Sequence, residues 1–285
     1  MKLFVTGAGG QLGHELVEAI RAAGHEAIAT THAQLDITDE EAVRVAIGSA
    51  KPDVVIHAAA WTAVDACEGD IEKAMLVNGT ASKYVADAAH AVGARVVYIS
   101  TDYVFDGSKS TAYNEDDVPN PQSAYGASKL AGEQAMSEQD AIVRISWVCG
   151  FYGANMVKTI LKLGVTMPEL KFVDDQLGNP TFADDAAKAI VNIATSGLGG
   201  IWHVTNQGVV SWYEFAREVL LTAGMDAAKV KPISTSDLQP PRPAKRPANS
   251  VLNNGRMIAE GMALLPDFRE PLARLVRQLL AETGE

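Results

Sequence analysis

The segment Gly7-Ala8-Gly9-Gly10-Gln11-Leu12-Gly13 constrains this chain more than any other. It follows a short apolar run, Leu3-Phe4-Val5, and opens a pattern in which Leu12, Leu16, Val17 and Ile20 recur on one helical face before Gly24. A glycine-rich turn between a strand and a helix permits a tight bend and close approach of the backbone to a pyrophosphate. The helix N-terminus then meets that anion with unpaired N–H groups. Placed this way, with Gly7, Gly10 and Gly13 three apart, the glycines predict a dinucleotide-binding βα turn.

The alternation continues downstream. Residues 27–29 read as a second strand, and Thr38-x-x-Glu41 predicts a capping box opening a helix to about Ser49. Residues 53–57 read as a buried strand, 71–92 as one long helix and 95–99 as a strand rich in β-branched residues. Strands separated by helices, with no hairpin signal, predict an α/β fold with a doubly wound parallel sheet of the Rossmann type. A polar, turn-rich loop over 101–121 is long enough to imply that it overlies a site. A helix over about 124–136 and a strand over 141–145 follow it.

Beyond this point the pattern is less regular. Helices are expected over 155–163, 184–195, 212–223 and 267–281, a strand over 202–204, and an extended proline-rich stretch over 240–247. The expected division is a nucleotide-binding domain over 1–147, its sheet completed by parts of 183–205. A smaller, discontinuous substrate-binding lobe would come mainly from 148–182 and 206–285.

Composition excludes several classes of partner. The chain is 47% hydrophobic and 21% charged, as expected of a globular protein, and its formal charge of −11 gives an average field that repels nucleic acid and anionic lipid. No run of about 18 apolar residues is present to span a membrane, and the glycines after Thr6 interrupt the N-terminal apolar stretch before a signal-type core develops. Cys67 and Cys149 lie far apart and show no ligand spacing with histidine, so a reducing compartment, the cytoplasm, is expected and a metal is not.

An acidic residue ending the second strand would bind the adenosine ribose and select NAD, but that strand ends Ala29-Thr30-Thr31-His32. NADPH is therefore the expected cofactor, with NADH an alternative. Asp36 either lies near the adenine or caps the turn that follows it.

Tyr125-Gly-Ala-Ser-Lys129 places a phenol and an ammonium on one helical face. The cation should lower the phenol from its ordinary value of about 10, so that it protonates a carbonyl oxygen as hydride reaches the carbon. Thr101, in Ser100-Thr101-Asp102-Tyr103, directly follows the fourth strand and is either a hydroxyl donor to that oxygen or part of an Asp/Thr turn. Trp147 just beyond the next strand covers a sugar or base face, or packs in the core. Arg242, Lys245 and Arg246 form a basic cluster among prolines. A guanidinium there either clamps a diphosphate bidentately or is solvated surface charge.

The glycine loop, Ala58-Ala-Ala-Trp-Thr-Ala-Val-Asp65, Ser100-Thr-Asp-Tyr-Val-Phe105, Tyr125-x-x-x-Lys129 and Arg144-x-Ser146-Trp147-Val148 together resemble the extended short-chain dehydrogenase/reductases. The likeness is greatest to the branch that reduces the 4-keto group of dTDP-4-dehydro-L-rhamnose. It extends over nearly the whole chain, including Asp174-Asp-Gln-x-Gly178-x-Pro180-Thr181 and Arg246-Pro247-x-x-Ser250. It implies an NAD(P)H-dependent oxidoreductase acting on a dTDP-sugar, with Tyr125, Lys129 and Thr101 catalytic.

The resemblance also assigns Gly10, Gln11, Leu12, Asp36, Ala60, Trp61 and Thr62 to the cofactor, beside Gly7, Gly13, Tyr125 and Lys129. Thr101, Asp102 and Trp147 fall at the sugar nucleotide, with Arg246 a further candidate there. Trp61 departs from a histidine often found at its position. Some members hold a metal between subunits through acidic side chains. Glu15 and Asp184 match two of these, but a third carboxylate cannot be placed, so the expectation is a monomer or homodimer without a metal. The alternatives are an epimerase or dehydratase on the same fold and a non-catalytic nucleotide-binding regulatory subunit. A dehydratase commonly carries an Asp-Glu pair after the fourth strand, whereas Tyr103 follows Asp102 here.

Overall fold

The computed structural model describes residues 1–283. Strands β1 (Lys2–Thr6), β2 (Glu26–Thr30), β3 (Val54–His57), β4 (Arg95–Thr101) and β5 (Ala141–Ile145) lie in the order β2-β1-β3-β4-β5, and the strand Gly200–His203 completes the sheet beside β5. Every neighbouring pair is parallel. The central strands are apolar almost throughout because both faces are covered. On one face Leu16 and Ile20 of helix α1 (Gln11–Ala22) and Ile190 and Ile193 of the helix Ala183–Ser196 pack on Leu3, Val5, Val97 and Val143. On the other, Val43, Ile47, Val85 and Ala89 cover Phe4, Val55 and Val96.

From β2 the chain returns past β1 to place β3 on its other side, so the strand order reverses between β1 and β3. In doubly wound sheets the crevice beyond the carboxyl ends at such a reversal is where ligands bind. The glycine turn leaves β1 there and Ala58 leaves β3 there.

Two local expectations are corrected. Helix Glu40–Ala50 is capped by Asp39, whose carboxylate accepts the Ala42 N–H at 3.0 Å, rather than by Thr38. The Thr38 hydroxyl is instead donated to Asp36 at 2.8 Å, a local side-chain bond that removes it from capping. The long helix expected over 71–92 is divided into Ile71–Ala74, a π-helical turn Met75–Thr80 and Ala81–Ala91.

That widened turn carries Asn78, which is fully buried. Its side chain accepts the Trp61 N–H at 2.7 Å and donates to Trp61 O and Ser128 Oγ, both at 3.0 Å. One amide thereby ties the segment after β3 to the helix Ala124–Glu133. Such single-turn insertions cluster at functional sites, and apolar periodicity does not reveal them.

A second apolar cluster, including Val157, Ile160, Phe182, Phe215, Leu220, Phe268 and Leu272, joins helices Met156–Thr166, Trp212–Thr222 and Arg269–Thr283. Short strand pairs stitch it together: Leu170–Val173 with Val230–Ile233, Val148–Cys149 with Thr181–Phe182, and Leu177–Gly178 with Val210–Ser211. Helix Trp212–Thr222 opens on a full capping box from Ser211 and Glu214. No helix of the described residues is long and apolar enough to cross a membrane.

The helix Ala124–Glu133 meets β4 closely at Gly132, where a Cβ would stand 2.1 Å from the Tyr98 hydroxyl and 2.5 Å from Asn78 O. Gly132→Ala is therefore expected to lower stability by about 1–3 kcal/mol through overpacking, read as a lower thermal midpoint. An unchanged midpoint would mean that this helix moves away from β4 without cost.

Candidate active site

The turn after β1 is built by backbone crowding. Gly7 has a φ of +70°, and a Cβ on it would lie 2.7 Å from Ala59 N and Cα; one on Gly13 would lie 2.1 Å from Gly7 O. Only glycines let β1, the segment after β3 and α1 approach this closely. The Gly10 N–H is donated to Gly7 O at 2.9 Å, so the amides left for an anion are those of the first helical turn, at Gln11, Leu12 and Gly13. Gln11 also anchors the turn to the second cluster, donating to Val148 O at 3.0 Å and accepting from Asn155 at 2.8 Å.

These residues border a cavity of about 480 Å³. Gly7, Gly10, Gln11, Leu12 and Gly13 line one side, with Ala58, Ala60, Thr62 and Val64 from beyond β3. Ser100, Thr101, Asp102 and Tyr103 come from the end of β4, Tyr125 and Lys129 from the helix Ala124–Glu133, and Trp147 and Val148 from beyond β5. Most of the sequence-predicted site residues, distant along the chain, therefore share one space.

The Tyr125 ring stands edge-on to Tyr103, with centroids 5.5 Å apart. Burial pushes its phenol above the ordinary value, while a hydrogen bond with the Thr101 hydroxyl acts in the opposite direction. Lys129 is 2% exposed, and its Nζ lies 4.0 Å from the Tyr98 ring centroid. Burial pulls its ammonium down to about 7, opposed by Glu133. The expected lowering of Tyr125 by Lys129 is thus not what this geometry gives. Desolvation dominates both groups and disfavours the charged form of each.

Thr101 Oγ1 donates to Asp102 Oδ1 at 2.9 Å and accepts the Tyr103 N–H at 3.2 Å. Asp102 is buried, its Oδ2 has no hydrogen-bond partner, and burial pushes its carboxyl up to about 6. Trp147 combines both sequence readings: it borders the cavity and stacks on Trp212 at 3.7 Å. Its φ of +46° is a strained, left-handed conformation for a bulky residue.

Three predicted residues lie outside the cavity lining. Asp36 is exposed and accepts both the N–H and the hydroxyl of Thr38, so it caps its turn. Trp61 is fixed through its backbone by Asn78, with the Lys73 ammonium 4.6 Å from its ring centroid. Arg246 is half-buried and not free: it forks onto Asp65 at 2.9 and 2.8 Å. Asp65 also accepts from Ala244 N and Arg242, and the Arg246 guanidinium is the first cause holding its carboxyl down at about 2.

Sequence reasoning missed Asn78 and Glu133, and read Asp65 as site lining without its pairing to Arg246. Glu133 had a signal: Arg144 interrupts the apolar strand Ala141–Ile145, and a buried guanidinium requires an anion. Glu133 lies four residues beyond Lys129 and supplies it, accepting from Arg144 at 2.9 and 2.7 Å. Among the described residues no group of three histidine, cysteine or acidic side chains is placed to hold a metal. Asp184 is paired with Arg274 at 2.6 Å.

A parallel sheet with a glycine turn at its point of reversal, and a Tyr-x-x-x-Lys helix bordering the same crevice, define an extended short-chain dehydrogenase/reductase. Within that class the chain belongs to the RmlD substrate binding domain family, whose pattern matches residues 1–281. It is 41% identical over 280 residues, 97% of each chain, to the spore coat polysaccharide biosynthesis protein SpsK of Bacillus subtilis. It superposes with a TM-score of 0.93 on a dTDP-4-dehydrorhamnose reductase from Clostridium acetobutylicum, at 42% identity over 98% of this chain and 99% of that one. The dTDP-4-dehydrorhamnose reductase of Bacillus anthracis, in complex with NADP, gives a TM-score of 0.92 at 37% identity, covering 98% and 100%.

The raised Asp102 carboxyl predicts a pH-dependent stability. Its folded value of about 6 lies above its unfolded value, so the cost of the buried charge is absent below about pH 4 and complete above about pH 6. Asp102→Asn should therefore raise the thermal midpoint at about pH 8, a stabilisation of up to about 3 kcal/mol, and not at about pH 4. A midpoint lowered equally at both would contradict it.

Proposed function

We propose that the chain is an NADP(H)-dependent oxidoreductase that reduces the 4-keto group of dTDP-4-dehydro-L-rhamnose, giving dTDP-L-rhamnose. The observation that carries this reading is the convergence of Tyr125, Lys129 and Thr101 on one cavity beside the glycine turn. Full-length likeness to reductases of that name supports it.

The residues present fit a dinucleotide. Backbone crowding at Gly7 and Gly13 leaves room for a pyrophosphate where side chains would intrude, against the amides of the first turn of α1. The end of β2, Thr30-Thr31, carries no carboxylate to repel a 2′-phosphate, which favours NADPH and accommodates NADH. Gly7, Gly10, Gln11, Leu12 and Gly13 would hold the pyrophosphate, with Ala60, Trp61 and Thr62 alongside, Asp36 toward the adenine, and Tyr125 and Lys129 at the nicotinamide ribose. When bound, the dinucleotide supplies the hydride.

The protein's own task is to manage the developing negative charge on the substrate oxygen. Tyr125 donates its phenolic proton there, and its raised value keeps that proton in place across the neutral range. Lys129 stabilises the phenolate left behind. Thr101 offers a second donor once its hydroxyl turns from Asp102, and the unpartnered Asp102 Oδ2 accepts from a sugar hydroxyl. Trp147 lies along the sugar nucleotide. Arg246 serves the diphosphate only by exchanging Asp65 for it.

In this reading residues 1–147 and parts of 183–205 bind the cofactor, and 148–182 with 206–285 form most of the substrate lobe. The enzyme works in the cytoplasm as a monomer or homodimer.

Incubation with dTDP-4-dehydro-L-rhamnose and NADPH should consume the cofactor stoichiometrically and yield dTDP-L-rhamnose, identified by NMR. Conversion without cofactor consumption, or formation of the 4-epimer, would overturn the assignment. Tyr125→Phe should lower kcat by about 10²- to 10⁴-fold. Near-normal turnover in that variant would remove Tyr125 from proton transfer.

A further inference from the structure

Lys129 at the cavity wall belongs to a set of buried charges whose other members, Glu133 and Arg144, have no part in the proton transfer described above. Lys129 and Glu133 stand one turn apart on the helix Ala124–Glu133, and Arg144 projects to Glu133 from β5; all three are at most 5% exposed. Arg144 Nε and Nη2 donate to the two Glu133 oxygens, and Ser100 Oγ on β4 donates to Oε1 at 2.5 Å. A carboxylate gripped at both oxygens cannot swing toward another partner. Its ion pair is therefore with Arg144, and the Lys129 ammonium, seated over the Tyr98 ring, remains at the cavity wall.

The other titratable groups around this set do not supply a counter-charge of the same kind. His57 on β3 is held at about 3 by burial and by Lys129, and His203, beside Arg144, is held at about 3 chiefly by burial, so both are neutral. Tyr98 and Tyr125 are pushed up by burial and stay protonated. Asp102 acts on Tyr125 and is itself raised to about 6. Two buried cations thus share the charge of Glu133.

We propose that Glu133 is a positioning residue for proton transfer: locked by Arg144 and Ser100, its carboxylate supplies the fixed negative charge that keeps Lys129 an ammonium at the cavity wall. The proposal rests on the role assigned above to Lys129 as the cation beside Tyr125. Burial alone drives a lysine toward its neutral form, and Glu133 opposes this. The separation of one turn stabilises the ammonium without drawing it into a direct ion pair. Arg144 enforces that separation by occupying the carboxylate.

The test follows the carbon-13 resonance of Lys129 Cε against pH in the full-length protein without added dinucleotide, assigned by its loss in Lys129→Arg. In Glu133→Gln the midpoint should fall by about one pH unit or more, whereas Glu133→Asp, which keeps the charge, should stay near the unsubstituted protein. Glu133→Gln leaves Arg144 buried without its anion and can fail to fold. The double variant Glu133→Gln/Arg144→Met removes both charges and should still show a downward shift. An unchanged midpoint in either variant overturns the proposal. The pH limit of kcat with dTDP-4-dehydro-L-rhamnose and NADPH should move with the resonance. A shifted resonance with an unshifted kcat profile would support Glu133's hold on Lys129 and refute the catalytic role of Lys129.

Discussion

The contact on which the site depends is backbone against backbone. At the reversal of strand order, the Gly7 carbonyl, the Ala59 backbone and the first turn of α1 approach so closely that a single methyl at Gly7 or Gly13 has nowhere to go. That approach aims the helix N-terminus across the crevice and brings the ends of β1 and β3 to one edge. Everything chemical is then added by the strands and helix beyond: β4 ends in Thr101 and Asp102, β5 leads to Trp147, and the helix Ala124–Glu133 carries Tyr125 and Lys129.

Buried polar bonds hold these pieces in register. Thr6, the last residue of β1, bonds His57 Nδ1 at 2.7 Å and accepts the Ala59 N–H at 3.2 Å, while His57 Nε2 meets Ser82 Oγ at 3.1 Å. Ser82 donates to Asn78 O, and the Asn78 side chain reaches Trp61 and Ser128. The same Asn78 carbonyl and Lys129 O accept from Tyr98. One connected network thus runs from the strand before the glycine turn to the helix bearing Tyr125. In a low-dielectric interior each unmade bond of such a network is costly, which favours a single arrangement of the cavity wall.

Much of this was legible in the sequence because apolar periodicity and glycine placement act locally. The first five strands, helix α1 and the Tyr125–Lys129 pair follow from patterns within a dozen residues. What was not legible depends on partners far apart in the chain. Nothing near Asn78 announces that its amide will meet Trp61 and Ser128, and nothing near Arg246 announces Asp65, 181 residues earlier. Trp147 could not be assigned to core or cavity from sequence, since the distinction requires Trp212 to be seen beside it. The Thr38 capping box failed for a smaller reason: two acceptable N-cap residues stand side by side, and Asp36 takes the hydroxyl of one of them.

The electrostatics explain how a chain of net charge −11 can hold a ligand carrying several phosphate charges. The nearby guanidiniums are already matched, Arg246 with Asp65 and Arg144 with Glu133. Oriented backbone amides at the start of α1 therefore offer the anion a positive potential that requires no counter-ion to be displaced. The Arg246 guanidinium engages only by exchange: a diphosphate reaching it must substitute for a carboxylate that already makes a bidentate pair, so much of the Coulombic gain is cancelled. What such an exchange retains is geometry, since Asp65 keeps the guanidinium oriented beforehand. Recognition in this cavity thus relies on prearranged dipoles and orientation rather than on excess positive charge, which is compatible with an acidic surface around it.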